Sequence, residues 1–161
     1  MAKVKIFADK YKPEYKTYGS AGMDLCAMNF YPLNNKAETE DEYCEKIYIE
    51  PGGFAEITTG VKIELPFGHS GSLRLRSSLG KQGLIIPNAP GTIDSDYRGE
   101  IIILVYNISD RTITLNRGDR IAQLVVQYTP QADIEFVTFS EFRKRSESSI
   151  RGEGGFGSTG K

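Results

Sequence analysis

Arg151, Phe156, Ser158 and Thr159 stand within the last eleven residues of the sequence, Arg151-Gly-Glu-Gly-Gly-Phe-Gly-Ser-Thr-Gly-Lys161, five of which are glycine. Such a run holds no helix or strand by itself, but glycines let successive backbone N–H groups converge on an anion. Arg151 adds a forked cation, Phe156 a flat face for a base, and Ser158 and Thr159 hydroxyl donors. That is the chemistry of a lid over a nucleotide. A disordered Gly/Ser terminus has the same glycine content, so the tail alone leaves both readings open.

Four further segments carry groups of the same kind. Arg76-Ser-Ser-Leu-Gly80 follows an alternating strand pattern, where a short helical turn would present free N–H groups beside the Ser77 and Ser78 hydroxyls and the Arg76 cation. An ordinary helix cap with a surface arginine would look alike. Asn88-Ala-Pro-Gly-Thr-Ile-Asp-Ser-Asp-Tyr-Arg-Gly-Glu100 places two turn signals around Ile93–Tyr97 and predicts a hairpin at a pocket wall. Asp94 and Asp96 offer carboxylates for a water or a metal shell, or merely form turns, and Tyr97 offers a ring that packs on a sugar. Asp24, in Ser20-Ala-Gly-Met-Asp-Leu25, is a single acid beside a glycine and reads equally as a turn aspartate. Arg117-Gly-Asp-Arg-Ile-Ala-Gln123 is a turn opening a strand that could aim Gln123 inward.

The elements that must position these groups are mostly strands. Lys46–Glu50, Phe54–Leu65, His69–Leu75, Leu84–Pro87, Glu100–Asn107, Thr112–Leu115, Arg120–Tyr128 and Asp133–Phe136 are β-rich runs between Gly, Pro and Asn punctuation. Ile113 and Leu115 share a face at the strand period of two, while Ile101-Ile-Ile-Leu-Val105 is apolar on both faces and suits a strand buried between layers or subunits. Ser77–Gln82, then Ser140–Arg145, are the helix candidates. Many short strands favour a sandwich or jelly roll. Asn34–Glu45 reads as an acidic excursion, and Arg143–Ser149 as a flexible linker to the tail.

Composition narrows the field. The chain has 161 residues, enough for one domain with a proper core. Twenty Lys and Arg against 21 Asp and Glu give a net charge of −1, so neither broad nucleic-acid nor membrane affinity is expected. Cys26 and Cys44 lack metal-ligand spacing and His69 is the sole histidine, which excludes a zinc site. The start, Met-Ala-Lys-Val-Lys-Ile, has no apolar signal region, and no run reaches membrane-spanning length, so a reduced, cytoplasmic location is expected (the host cytoplasm for a virus-borne chain).

Taken in order, Ser20-Ala-Gly-Met-Asp-Leu25, Arg76-Ser-Ser-Leu-Gly80, Gly91-Thr-Ile-Asp-Ser-Asp-Tyr-Arg-Gly99, Arg117-Gly-Asp-Arg-Ile-Ala-Gln-Leu124 and the tail Arg151–Gly160 resemble the trimeric dUTP pyrophosphatases, or dUTPases. The resemblance implies an all-β, distorted jelly-roll barrel or sandwich with one short helix over 1–142, carrying the 33–46 acidic excursion. It implies a flexible linker and C-terminal lid over 143–161, and a homotrimer with shared active sites. It implies magnesium-dependent hydrolysis of dUTP to dUMP and pyrophosphate, which limits uracil in DNA and supplies dUMP for dTTP synthesis. Asp94 would activate the water. Arg76, Ser77, Ser78 and Gln123 would hold phosphates, Asn88 would read uracil, and Tyr97 would lie under the deoxyribose. Arg151, Phe156, Gly157, Ser158 and Thr159 would close over the substrate, and Asp24 would reach Mg2+ through water.

The family is usually shorter at the acidic excursion, which is read as surface decoration in preference to a partner site. Two alternatives remain. A dCTP deaminase resembles dUTPases in fold, but it carries a glutamate on the strand after the hairpin, where this chain has Ile102-Ile-Leu-Val105. A dUTP-responsive regulatory binding protein would use the tail as a switch.

Overall fold

A computed structural model describes residues 3–39, 45–150 and 152–154, and divides the chain into two compact units, Met1–Pro130 and Gln131–Lys161. Among its described residues the first unit has twelve strands and one short helix: β1 Lys5–Ala8, β2 Met23–Cys26, β3 Asn29–Pro32, β4 Ala37–Thr39, β5 Lys46–Ile49, β6 Phe54–Glu64, β7 His69–Leu75, α1 Ser77–Gly80, β8 Leu84–Ile85, β9 Gly91–Ile93, β10 Glu100–Asn107, β11 Ile113–Asn116 and β12 Arg120–Tyr128. All the paired strands run antiparallel. One sheet has the order β1-β6-β10-β8 with β3 also on β6, a second β2-β12-β7-β9, and a third β11-β5-β4.

Alternation sets the core. Along β10, Ile101, Ile103 and Val105 turn inward and are fully buried, while Ile102 and Leu104 face the other way and stay partly exposed. They pack with Ile57, Val61 and Ile63 of β6 and with Ile47, Ile49, Ile113 and Leu115 of the third sheet. Each such buried side chain contributes roughly 1.5–3 kcal/mol relative to exposure. Ile113 and Leu115 share the buried face as their spacing predicts.

Asn107 joins the first sheet to the third. It is fully buried, and its amide donates to the carbonyls of Ile49 at 2.7 Å and Arg111 at 2.8 Å. Its oxygen accepts from the Ser109 N–H at 2.9 Å and the Ser109 hydroxyl at 2.7 Å. All of its hydrogen-bonding capacity is used inside the protein.

Several expectations change. Four-residue strands β1, β2 and β3 form from the N-terminal quarter, and β4 forms within the acidic excursion because Ala37 is apolar enough to bury against β5. Residues 40–44, Cys44 among them, lie outside the described residues; Cys26 is a half-buried free thiol. The predicted hairpin around Ile93–Tyr97 is not a two-stranded ladder. Gly91–Ile93 pairs with β7, whereas Glu100–Asn107 pairs with β6 and β8, so the link between them crosses from one sheet to another.

In the second unit, Asp133–Phe136 forms no strand, since none of the described residues of that unit pairs with it. A second helix, α2, spans Phe139–Glu147. It runs across the boundary at 142/143 and through much of the expected linker. A capping box explains it: Thr138 accepts from the Glu141 N–H, while the Glu141 carboxylate accepts from the Thr138 N–H at 2.8 Å. Lys144 and Arg145 in the last turn suit the helix dipole. No helix among the described residues is long and apolar enough to cross a membrane.

Replacing Asn107 by alanine takes a donor from the Ile49 and Arg111 carbonyls and the acceptor from the Ser109 N–H, leaving the Arg111 carbonyl only the Ser109 hydroxyl. A loss of at least about 2 kcal/mol is expected, read as a lower urea midpoint. An unchanged midpoint would show that Asn107 does not tie the sheets.

Candidate active site

The densest polar cluster forms where β2, β12 and the end of β7 lie side by side. Asp24 sits in the middle of β2 with Gln123 of β12 directly opposite in register. Its carboxylate is only 4% exposed. One oxygen accepts from the Gln123 amide at 3.0 Å and lies 3.7 Å from Arg76 Nε; the other accepts from Arg120 Nη1 at 2.9 Å. The Asp24 backbone N–H donates to the Glu14 carbonyl at 3.0 Å, so the residue is held from both sides.

Arg120 and Gln123 reach one carboxylate because of an irregularity in β12. Residues three apart on a regular strand point to opposite faces. The register shifts between Arg120 and Ala122, and the extra residue restores the two side chains to one face. Arg120 is therefore a site residue that the motif spacing conceals.

Burial by itself pushes the Asp24 carboxyl up. The hydrogen bonds from Gln123 and Arg120, with the charges of Arg76 and Arg120, outweigh it and hold the group below the usual aspartate value. Arg76, Ser78 and Arg120 also line a polar cavity of about 360 Å³, with Gln82, Thr114 and Asp119. Ser77 and Ser78 open α1 and are exposed. A larger cavity of about 840 Å³ borders Val4, Tyr15, Tyr18 and Met23 and holds none of the expected site residues, whereas the smaller one is lined by Arg76 and Ser78.

Asp94 and Tyr97 lie on the link that follows β9, and Asn88 lies before that strand. Asp94 is exposed at the start of the link that follows β9, and its carbonyl accepts from the Tyr97 N–H at 3.2 Å. The Tyr97 hydroxyl donates to the Glu100 carbonyl at 2.8 Å, and the ring is seated over Gly99, where any Cβ would collide with it. Glu100 anchors the far end, its carboxylate accepting from the N–H groups of Thr59 at 3.0 Å and Gly60 at 2.6 Å. Asn88 is exposed two residues before Pro90.

Asp94 and the Asp24 cluster lie apart within one chain. Ile93 pairs with Gly71, so Asp94 falls opposite Ser70, and about 20 Å of extended strand separates it from Arg76. That pairing depends on Gly71, where a Cβ would come within 2.9 Å of Leu124 and 3.1 Å of Ile93. Arg151, Phe156, Gly157, Ser158 and Thr159 lie outside the described residues.

The donor set does not suit a protein-bound magnesium ion. Among the described residues no group of three or more His, Cys, Asp or Glu could hold a metal. Asp24, the one expected contact, is already engaged by two guanidiniums and an amide.

A family model described as dUTPase matches residues 42–160. The deoxyuridine 5'-triphosphate nucleotidohydrolase of Anaplasma marginale is 42% identical over a 166-residue alignment covering 99% of both chains. That of Chlamydia trachomatis serovar L2 is 40% identical over 157 residues, 97% of this chain and 95% of that protein. Among solved structures, Staphylococcus bacteriophage 80alpha dUTPase with dUPNHPP superposes with a TM-score of 0.75 at 26% identity, covering 99% of both chains. Native EIAV dUTPase gives 0.66 at 27%, covering 85% of this chain and 98% of that one.

Because the Asp24 pKa is lowered on folding, its stabilisation is complete above the unfolded value of about 3.9 and is lost as pH falls through the folded one. The stability gap between the wild type and Asp24→Asn should therefore be constant near neutrality and shrink below about pH 4. Urea titrations across pH check this; a gap that ignores pH would remove the charge from the account.

Proposed function

The chain belongs to the dUTPase family, and from that premise we propose that it hydrolyses dUTP to dUMP and pyrophosphate in sites shared among three jelly-roll subunits. One observation carries the reading. On a chain related over its whole length to a dUTP nucleotidohydrolase, the cations anchored on Asp24 and the exposed Asp94–Tyr97 link lie at opposite ends of β7. A base must reach the attacking water while cations hold the same phosphates, and groups about 20 Å apart cannot serve one site. A neighbouring copy brings them together. The outward face of β10, with Ile102 and Leu104 partly exposed, gives such a copy apolar surface to cover.

Asp94 takes a proton from a water whose oxygen attacks the α-phosphorus. The bond to the bridging oxygen breaks, and pyrophosphate leaves with its electron pair. Arg76, Arg120, Ser77, Ser78 and Gln123 hold the phosphates and offset the charge that gathers on them. Tyr97, pinned by its bond to Glu100, fills the space that a ribose 2′-hydroxyl would need. Asn88 and the neighbouring backbone pair with the uracil edge; cytosine, with donor and acceptor exchanged, leaves those groups unmet. The tail, with Arg151, Phe156, Gly157, Ser158 and Thr159, closes over the nucleotide and excludes other water. Magnesium, when bound to the triphosphate, would screen phosphate charge.

Pyrophosphate release with magnesium from dUTP, but not from dCTP, dTTP or UTP, is expected. Asp94→Asn should lower kcat by about 10²–10⁴-fold. Ammonia released from dCTP would instead favour the deaminase, and dUTP binding without release would favour the switch protein.

Sharing of sites has its own test. Asp94→Asn and Arg76→Ala chains, each inactive alone, should regain activity when co-assembled. Random mixing leaves one intact site in each mixed trimer, about one quarter of wild-type activity. No recovery would place both groups in one chain's site.

A further inference from the structure

Resting on the dUTPase reading, we propose that Asp24 is a positioning residue, which holds Arg76, Arg120 and Gln123 where they receive the phosphates and does not serve the metal. Each of its oxygens accepts one protein donor, with the Arg76 guanidinium a further 3.7 Å away, and the side chain is 4% exposed, which leaves little room for a hydrated ion. A magnesium ion drawn to this spot would also face two guanidiniums.

Arg76 and Arg120 line one cavity of about 360 Å³, where two cations repel each other before any anion arrives. One carboxylate between them neutralises one charge and leaves the other for phosphate. It also fixes both heads in advance, so that substrate binding does not have to order them. The register shift in β12 has the same effect, since without it Arg120 would point away from Asp24.

The test separates metal from position by removing the metal. With the full-length protein in EDTA, calorimetric titration with the α,β-imido analogue of dUTP should show Asp24→Asn binding at least about tenfold more weakly than wild type. With magnesium restored, the concentration for half-maximal pyrophosphate release should be the same in both. If metal-free affinity is unchanged while the magnesium requirement rises, Asp24 is a metal contact and the proposal fails. If neither moves and only the melting temperature falls, the role is structural and it fails equally.

Should Asp24→Asn not fold, Arg120→Gln is compared with the Asp24→Asn/Arg120→Gln double variant, in which two neutral side chains meet. A further loss under about threefold supports action through Arg120, and one above about tenfold refutes it. Wild type is assayed alongside. Failure to release pyrophosphate from dUTP would sink the dUTPase reading, while the metal-free titration would still report on Asp24.

Discussion

A carboxylate buried among cationic and amide donors is the constraint on which the rest of this molecule turns. Taking a charge out of water costs several kcal/mol unless its partners are well placed. Asp24 meets that condition with groups 96 and 99 residues away in sequence. Those partners can be in place only if β2, β12 and the end of β7 are already in register. The ion cluster therefore selects one arrangement of the second sheet, and the apolar core supplies the free energy to hold it. The same geometry points the arginines at the cavity.

The Asp94–Tyr97 loop is built by another route. Asp94 and Tyr97 belong to a link between sheets, fastened at one end by the pairing of β9 with β7 and at the other by Glu100 on the Thr59 and Gly60 amides. A loop held at both ends keeps Tyr97 in one pose while leaving Asp94 open to water. Rigidity and exposure, which usually oppose each other, are divided between neighbouring residues.

The long strands were legible because their alternation is strong: β6, β7, β10 and β12 lie where periodicity puts them. The short N-terminal strands were not, because four residues carry little pattern and their stability comes from long partners such as β6. From its neighbours alone Asp24 read equally as a site acid or a turn residue, because nothing nearby in sequence announces its distant partners. Arg120 was missed for a geometric reason: three positions from Gln123, it should face away, and a bulge leaves no compositional mark. The helix α2 matches the candidate Ser140–Arg145 and had a readable start in Thr138-Phe-Ser-Glu141, but the basic and serine-rich run over Arg143–Ser149 also reads as solvated chain. The apparent hairpin failed because turn chemistry locates a reversal without saying which sheet the returning strand will join.

The placement of Asp94 and Arg76 at opposite ends of β7 has a kinetic meaning under the shared-site reading. A lone chain, however well folded, holds only the halves of two different sites and is chemically silent. At dilutions where trimers come apart, the rate per volume rises with the third power of chain concentration, as in a termolecular reaction. Turnover is then itself a gauge of assembly, and a newly made chain destroys no nucleotide until it has found its two companions.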